Sequence, residues 1–464
     1  MENATVAAPS PAADPDLLAD AAQRAITYVQ QIGCRHVYPS PRAVANLDSL
    51  NATLPAAPMP VPEVIDLLDR VASPATVAVG GGRYFGFVNG GVLPAAMAAD
   101  WMVSAWGQNA ALRVMSPAAA ALEDIALRWV ADLLGLPKGC GGALVTGATM
   151  ANVLGLAAAR HALLERAGWD VEGNGLFGAP PVTVIAGEEV HVSLIKALGI
   201  LGLGRTRILR VPVDGQGRMR AEMLPALDAR TIVCLQAGNV NTGAFDPALE
   251  ICDRAHAAGA WVHVDGAFGI WASASPRYRH LTEGFARADS WSTDAHKWPN
   301  AGYDCGISLV REARALRAAM SITSSYFTPG ELREPANYGP ELSRRARGVA
   351  LWAALRSLGR EGLAQIIDRT CQHARTFAEK LGALGYEILN QVVINQVLVS
   401  FGDSAVTRSV IECVQRDGSC WCGGTDWQGR TAMRISVSSW ATTRQDVETS
   451  VAAIHRIAQQ CLLR

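Results

Sequence analysis

Four short elements carry the residues that could do chemistry. The first is Asp294-Ala295-His296-Lys297-Trp298. A lone lysine is ordinarily a solvated surface group, but this one sits between His and Trp, directly after an apolar β-type run. Burial favours the neutral amine, the form that attacks a carbonyl carbon to make a Schiff base. The second is His263-Val264-Asp265-Gly266-Ala267-Phe268, with an aspartate at the end of another β-type run. Asp265 reads either as a helix N-cap or as a carboxylate that keeps a pyridinium nitrogen protonated and so deepens an electron sink. The third is Thr146-Gly147-Ala148-Thr149-Met150-Ala151-Asn152, a small-residue turn leading into an apolar helix. Its backbone N–H groups and the Thr149 hydroxyl suit a phosphate at a helix N-terminus. In the fourth, Glu189-Val190-His191-Val192-Ser193, His191 is either a satisfied core histidine or a ring that stacks on a planar ligand. Each element alone has a structural explanation. Together, in chain order, they supply a phosphate cradle, a ring stacker, a partner for a ring nitrogen and a Schiff-base lysine.

Those residues need a scaffold that brings the ends of distant strands together. Between about residues 80 and 310, helices alternate with short β-rich runs: Ala143–Val145, Val182–Ala186, Arg207–Val211, Ile232–Leu235, Trp261–Val264, Ser290–Ser292 and Gly306–Val310. Most lack polar alternation, as strands buried on both faces of a mainly parallel sheet do. Ligand sites of open α/β sheets lie at the carboxyl ends of such strands. Upstream, a helix is expected from Pro15 to about Gly33, then an extended, Pro-punctuated stretch (Pro39 to Pro62), then a helix near Glu63–Val71. Downstream, a helix near Arg344–Leu358 leads into a smaller α+β unit with strands near Val397–Phe401 and Met433–Val437. The expected division is an N-terminal arm over 1–75, a large α/β domain over 76–355 and a small C-terminal domain over 356–464.

Composition narrows the function classes. The 464 residues carry 41 basic and 42 acidic side chains, a net charge of −1. That balance argues against nucleic acid as a partner, which selects a basic excess or stripe. Charged residues make up 18%, below the roughly 25% of ordinary soluble domains, so the chain has apolar surface for both a large core and a subunit interface. No apolar run reaches the roughly 18 residues that span a bilayer, and the Ala/Pro-rich start lacks the pattern of a secretory signal. Ten scattered Cys fit reduced cytoplasmic thiols, and Cys420 with Cys422 makes no zinc motif, so no metal is expected.

With these residues in place, the chain resembles the pyridoxal-phosphate enzymes of the aspartate-aminotransferase fold (fold type I), and among them the group II amino-acid decarboxylases. Aromatic-amino-acid, histidine and glutamate decarboxylases belong to that group. The similarity runs from about Val37 to the C-terminus. It is carried by Val37-Tyr38-Pro39, Arg83–Gly86 with Phe87, Ser116-Pro117 with Glu123, and Gly147-Ala148-Thr149. Gly243-Ala244-Phe245-Asp246-Pro247, His263–Asp265, His296-Lys297-Trp298 and Arg344-Arg345-Ala346-Arg347 complete it. The resemblance implies a seven-stranded sheet, pyridoxal 5'-phosphate as cofactor, an amino-acid substrate, and a homodimer with shared active sites. It implies that Lys297 holds the cofactor, Asp265 partners the pyridine nitrogen, His191 stacks on the ring, and Gly147, Ala148, Thr149 and His296 serve the phosphate. Tyr84, Phe85 and Phe87 fall where the family lines its substrate pocket, Trp106 in a segment that enters the other subunit's site, and Ser343 where members vary with substrate.

Three positions depart from the family pattern. Asp294 stands where the family often has Asn. Gly238-Asn239-Val240-Asn241-Thr242 replaces a Thr-rich turn, so Asn239 or Asn241 takes the place of a hydroxyl near the cofactor. The stretch after the lysine is short, and Tyr326 and Tyr338 are both candidates for the tyrosine that returns a proton to the substrate's α-carbon, with His191 as the alternative proton donor; aldehyde-forming members lack the tyrosine. Ser343 also reads as a helix N-cap, and Arg434 as mainly structural. The implied activity is decarboxylation of an L-amino acid to its amine, with a lean toward aromatic side chains. The alternative is a decarboxylative aldehyde synthase or carbon–carbon lyase on the same scaffold. A non-catalytic, cofactor-binding regulator is set aside, because such regulators append a basic DNA-binding domain.

Overall fold

The computed structural model describes residues 14–321 and 332–462. Seven strands form the main sheet: β1 Gly141–Val145, β2 Thr183–Gly187, β3 Leu209–Val211, β4 Thr231–Gln236, β5 Trp261–Asp265, β6 Ser290–Asp294 and β7 Gly306–Val310. Their order is β1-β7-β6-β5-β4-β2-β3, parallel except for β7, which runs antiparallel to both β1 and β6. Each of the seven apolar runs read from the sequence forms one of these strands. Successive residues point to opposite faces, and both faces are covered. Leu144, Ile185, Val233, Val262 and Leu309 pack into one core with Trp271 and Trp291. Ala143, Val145, Ala186 and Ile232 pack against the helix Ala148–Arg166 on the other face. That helix lies close because it is built of Ala and Gly: a Cβ on Gly155 would collide with the His263 ring.

A second, antiparallel sheet follows, ordered β10-β11-β9-β8, from β8 Glu387–Ile388, β9 Gln396–Ser400, β10 Gly423–Trp427 and β11 Arg430–Ser436. Helices Ser404–Asp417 and Arg444–Leu462 cover it, with a core of Phe377, Val397, Val399, Ile435 and Ile454. The helix Arg347–Ala383 joins the two sheets and is broken at Gly359, whose φ of 60° takes it out of the helical region.

Two local expectations need correction. The Pro-punctuated stretch is not extended throughout, because Pro41–Asn46 is a helix whose first residue is Pro41, capped by Ser40 Oγ on the Ala43 N–H. Proline at the first helical position starts a helix rather than breaking one. Ser343 is not an N-cap: the helix begins at Arg347 with Ala346 at the cap position, and Ser343 is exposed three residues upstream. Among the described residues, no helix is long and apolar enough to cross a membrane.

Candidate active site

Because β1, β2, β4, β5 and β6 run in one direction, their carboxyl ends share one edge of the sheet. The segments leaving that edge carry Gly147, His191, Gly238–Val240, Asp265 and Lys297. A small cavity there is lined by His191, Gln236, Gly238, Val240, Asp265, Ala267, Phe268 and Lys297. Three of the four elements singled out by chemistry thus meet in one place, and the fourth borders it.

Asp265 ends a chain of donors that runs through the sheet. Trp261 Nε1–H donates to Ser290 Oγ (2.9 Å), which lies 2.8 Å from His263 Nδ1; His263 Nε2 lies 2.8 Å from Asn152 Oδ1. Asn152 Nδ2–H then donates to Asp265 Oδ2 (3.1 Å), while Ala267 N–H reaches Oδ1 (3.2 Å). The Asn152 amide donates to Asp265 and turns its oxygen, which can only accept, to His263 Nε2–H; a neutral His263 then accepts at Nδ1 from the Ser290 hydroxyl, so these bonds all point toward the carboxylate. Burial pushes the His263 imidazole down to about 4, partly offset by Asp265, so it stays neutral and keeps this single tautomer. Asp265 thus receives hydrogen bonds on both oxygens, an arrangement suited to partner a protonated ring nitrogen.

His191 is also held neutral, because burial lowers its pKa more than the nearby Asp265 raises it. It caps the helix Val192–Ile200, with Nδ1 accepting from the Ser193 N–H (3.2 Å) and facing Ser193 Oγ at 2.7 Å. Nε2 therefore carries the proton of the neutral ring.

At the cradle, helix geometry leaves the first N–H groups of Ala148–Arg166 without intrahelical partners. The Ala148 N–H donates to Asp294 Oδ1 (2.6 Å), and the other oxygen, Oδ2, lies 3.1 Å from Lys297 Nζ and 3.5 Å from His296 Nε2. His296 Nδ1 accepts from the Cys305 N–H, and Tyr303 stacks on its ring with centroids 4.4 Å apart. Asn300, fully buried at φ 52°, donates to the carbonyls of Lys297, Trp298 and Ser438 and accepts from the Gly91 and Trp440 N–H groups. It ties the lysine turn both to the segment 84–91 and to the end of the small sheet. That segment passes so near that a Cβ on Gly90 would strike the Lys297 carbonyl.

The remaining expected residues divide. Tyr84 is buried and stacked on Trp421 (5.1 Å), and Phe87 stacks on the same indole (5.4 Å) while 61% exposed. Phe85 does not line a pocket: it is buried edge-on against Phe377 in the core of the small sheet, because alternate residues of an extended segment face opposite ways. Asn241 gives its Oδ1 to Thr425 and Arg434 of the small sheet, and the cavity wall at that turn is Gly238 and Val240 instead. Trp106 ends the helix Pro94–Trp106 with its ring exposed. Tyr338 sits under Arg333 (4.7 Å) beside Gly141, at the opposite end of β1 from the cradle, so within its own chain it does not approach Lys297. Tyr326 lies outside the described residues. Trp421, Tyr303 and Asn300 were not singled out by sequence; only Asn300, in a Pro-Asn-Ala-Gly turn, carries a local signal, since Asn tolerates positive φ.

The site fits pyridoxal phosphate on its own geometry: a half-buried amine, a hydrogen-bonded carboxylate and a neutral imidazole around one cavity, beside the N-terminus of the helix Ala148–Arg166. Comparison with known proteins agrees. Residues 46–402 match the pyridoxal-dependent decarboxylase conserved domain. The chain is 28% identical over 453 residues to tryptophan decarboxylase 1 of Oryza sativa, covering 89% of this chain and 87% of that one. It is 28% identical over 380 residues to phenylacetaldehyde synthase of Arabidopsis thaliana, covering 75% and 76%. The crystal structure of Oryza sativa TDC with PLP and tryptamine superposes with a TM-score of 0.87 at 24% identity, over 97% of this chain and 99% of that one, which speaks to fold alone. The family model spans most of the chain and covers every element of the cradle and cavity, so this protein belongs to the pyridoxal-dependent decarboxylase family, as an enzyme of fold type I that uses pyridoxal 5'-phosphate.

Proposed function

We propose that this chain is an L-amino-acid α-decarboxylase, releasing carbon dioxide and the corresponding amine, and acting as a cytoplasmic homodimer. The observation that carries the reading is the meeting of Lys297, Asp265 and His191 at one cavity on the carboxyl edge of the sheet. The cofactor, when bound, supplies the electron sink for the bond that breaks. The protein's own work is orientation and charge. Asp265, fed by the Asn152–His263–Ser290–Trp261 chain, holds a proton on the ring nitrogen. His191 presents an uncharged ring and one N–H. Lys297 would hold the cofactor through its amine, and the Phe268 ring, with its centroid 5.9 Å from Nζ, covers that face. Choosing which bond to the α-carbon breaks is then a matter of the angle at which the substrate is held.

The Tyr84–Trp421–Phe87 stack, next to the segment that crosses the Lys297 turn, supports an aromatic side chain on the substrate. The dimer is supported by the arm. The helix Pro15–Gln31 buries none of its residues within the chain, yet exposes Leu18, Ile26 and Val29, and the helix Pro94–Trp106 exposes Trp101, Met102 and Trp106. Such a surface is expected to be covered by a second copy. Ten free cysteines support a reducing compartment.

Decarboxylative aldehyde synthesis is the second reading, favoured by one observation: Tyr338 is held away from the cavity of its own chain. Product analysis on a panel of L-amino acids separates the two. Carbon dioxide and amine in equal amounts are expected; aldehyde with peroxide, or no carbon dioxide at all, would overturn the first reading.

A further inference from the structure

The cradle holds something a phosphate site does not need: a buried carboxylate of its own. Asp294 has a side chain only 4% exposed. One oxygen takes the Ala148 N–H at the N-terminus of a 19-residue helix, and the other faces Lys297 Nζ. Asp294 therefore already fills the electrostatic role that the helix end and the lysine offer to an anion.

We propose that Asp294 is a resident anion of the phosphate site, and that binding the phosphorylated cofactor takes up one proton, shared between the Asp294 carboxyl and the phosphate. This rests on the reading of the site given above and adds the proton. The groups facing Asp294 make the balance plain. From its own turn come Lys297 and His296, from beyond it Tyr303 and Cys305, and from the helix Val192–Ile200 comes His191. Burial holds both histidines below their ordinary pKa and pushes the Tyr303 phenol and the Cys305 thiol above theirs, so none of these four brings charge at neutral pH. Lys297 is the basic side chain in contact with Asp294; farther out stand Arg434 beyond His191 and the carboxyl groups of Asp265 and Asp304. A carboxylate and a doubly charged phosphate on one helix end, facing one ammonium, leave an excess negative charge in a buried place. Two such anions do not both stay fully ionised; the pair holds a proton between them. The second ionisation of a phosphate, near pH 6, makes it a ready partner.

The test is calorimetric titration of the full-length apoprotein in buffers of different ionisation enthalpy at pH 8, which counts protons taken up. Pyridoxine 5'-phosphate is the probe, since it has the ring and the phosphate but no aldehyde to react with Lys297. Wild type is expected to take up about one proton more than Asp294→Asn, whose amide oxygen still accepts the Ala148 N–H. The wild-type affinity for the probe is expected to fall about tenfold per pH unit more steeply than that of the variant above pH 7.5, and Asp294→Asn to bind about tenfold or more tightly at pH 8. Equal proton counts and parallel pH profiles would overturn the proposal. Wild type alone supplies a further check, because a pH-independent affinity sinks the idea without any variant. Borohydride reduction after loading with pyridoxal 5'-phosphate keeps the two readings apart. A pyridoxyl adduct on Lys297 with no difference in proton count overturns the Asp294 proposal only. No adduct in either protein overturns the functional reading and this proposal with it.

Discussion

The cofactor side and the substrate side of the cavity are built in different ways. The cofactor side stands on strand ends: Asp265 closes β5, Asp294 closes β6, and His191 and Ala148 each begin a helix after a parallel strand. One chain of donors there runs to Asp265, and the Ala148 N–H goes to Asp294. The side we propose for the substrate is irregular backbone, with Phe87 and Val88 both at positive φ (53° and 59°), Phe87 stacked on Trp421, and Trp421 bridged to Tyr84. A β-branched residue in that region is strained and persists only where its surroundings impose it. In the reading proposed above, rigid strand ends fix the chemistry that all substrates share, and the strained segment distinguishes among them. Changes on the cofactor side should therefore lower turnover for every substrate, and changes on the substrate side should reorder substrates.

The largest effect is expected from Lys297→Arg. It keeps a cation beside Asp294 but removes the amine that reacts, so turnover should fall about 10³-fold or more while the melting temperature stays within a few degrees. A collapse in melting temperature would mean that the lysine turn is structural first. Asp265→Asn comes next. Its oxygen still accepts from Asn152, so the fold should hold, while loss of the charge should cost about 10²–10³-fold in kcat for aromatic and aliphatic substrates alike. A loss confined to one substrate class would break the distinction between the two sides.

The donor chain also predicts a pH dependence. The folded state keeps His263 neutral down to about pH 4, whereas an unfolded histidine takes its proton near 6.5. Its contribution to stability is therefore complete above pH 6.5 and lost as pH falls from there toward 4, on the order of 3 kcal/mol in total. Thermal melts from pH 7.5 to 4.5 should show a falling midpoint, and His263→Gln should flatten that part of the profile. An unchanged slope in the variant would remove His263 from the network.

The same division explains what was legible in the sequence. Most of the strands are buried on both faces and read as β-rich runs without polar alternation, the edge strand β3 excepted, and each chemical residue stands at or just beyond the end of one. The four core elements were recognisable for that reason. What surrounds them depends on contacts between segments far apart in the chain. Trp421 meets Phe87 across more than 300 residues, and no local pattern announces it. Phe85 looked like its neighbours Tyr84 and Phe87, but a pleat sends it the other way into the small core. Tyr338 looked available until Arg333 was seen to hold it at the far end of β1. Asp294 was visible as an odd residue, and only its position on the Ala148 N–H shows why it matters.

The smallest effect separates ring from backbone on the substrate side. Phe87→Leu keeps an apolar side chain at a strained position but removes the face that stacks on Trp421. Aromatic contacts of this kind are worth about 0.5–1.5 kcal/mol, so KM for an aromatic amino acid should rise about 3- to 10-fold, with kcat nearly unchanged because the strand ends are untouched. KM for an aliphatic amino acid should not move. Phe87→Gly relieves the positive φ as well and serves as the control. If glycine and leucine raise KM for both classes equally, the segment acts through its backbone over the Lys297 turn, and the substrate side shares the rigidity of the cofactor side. If only the aromatic substrate responds, and leucine matches glycine, the ring itself reads the substrate.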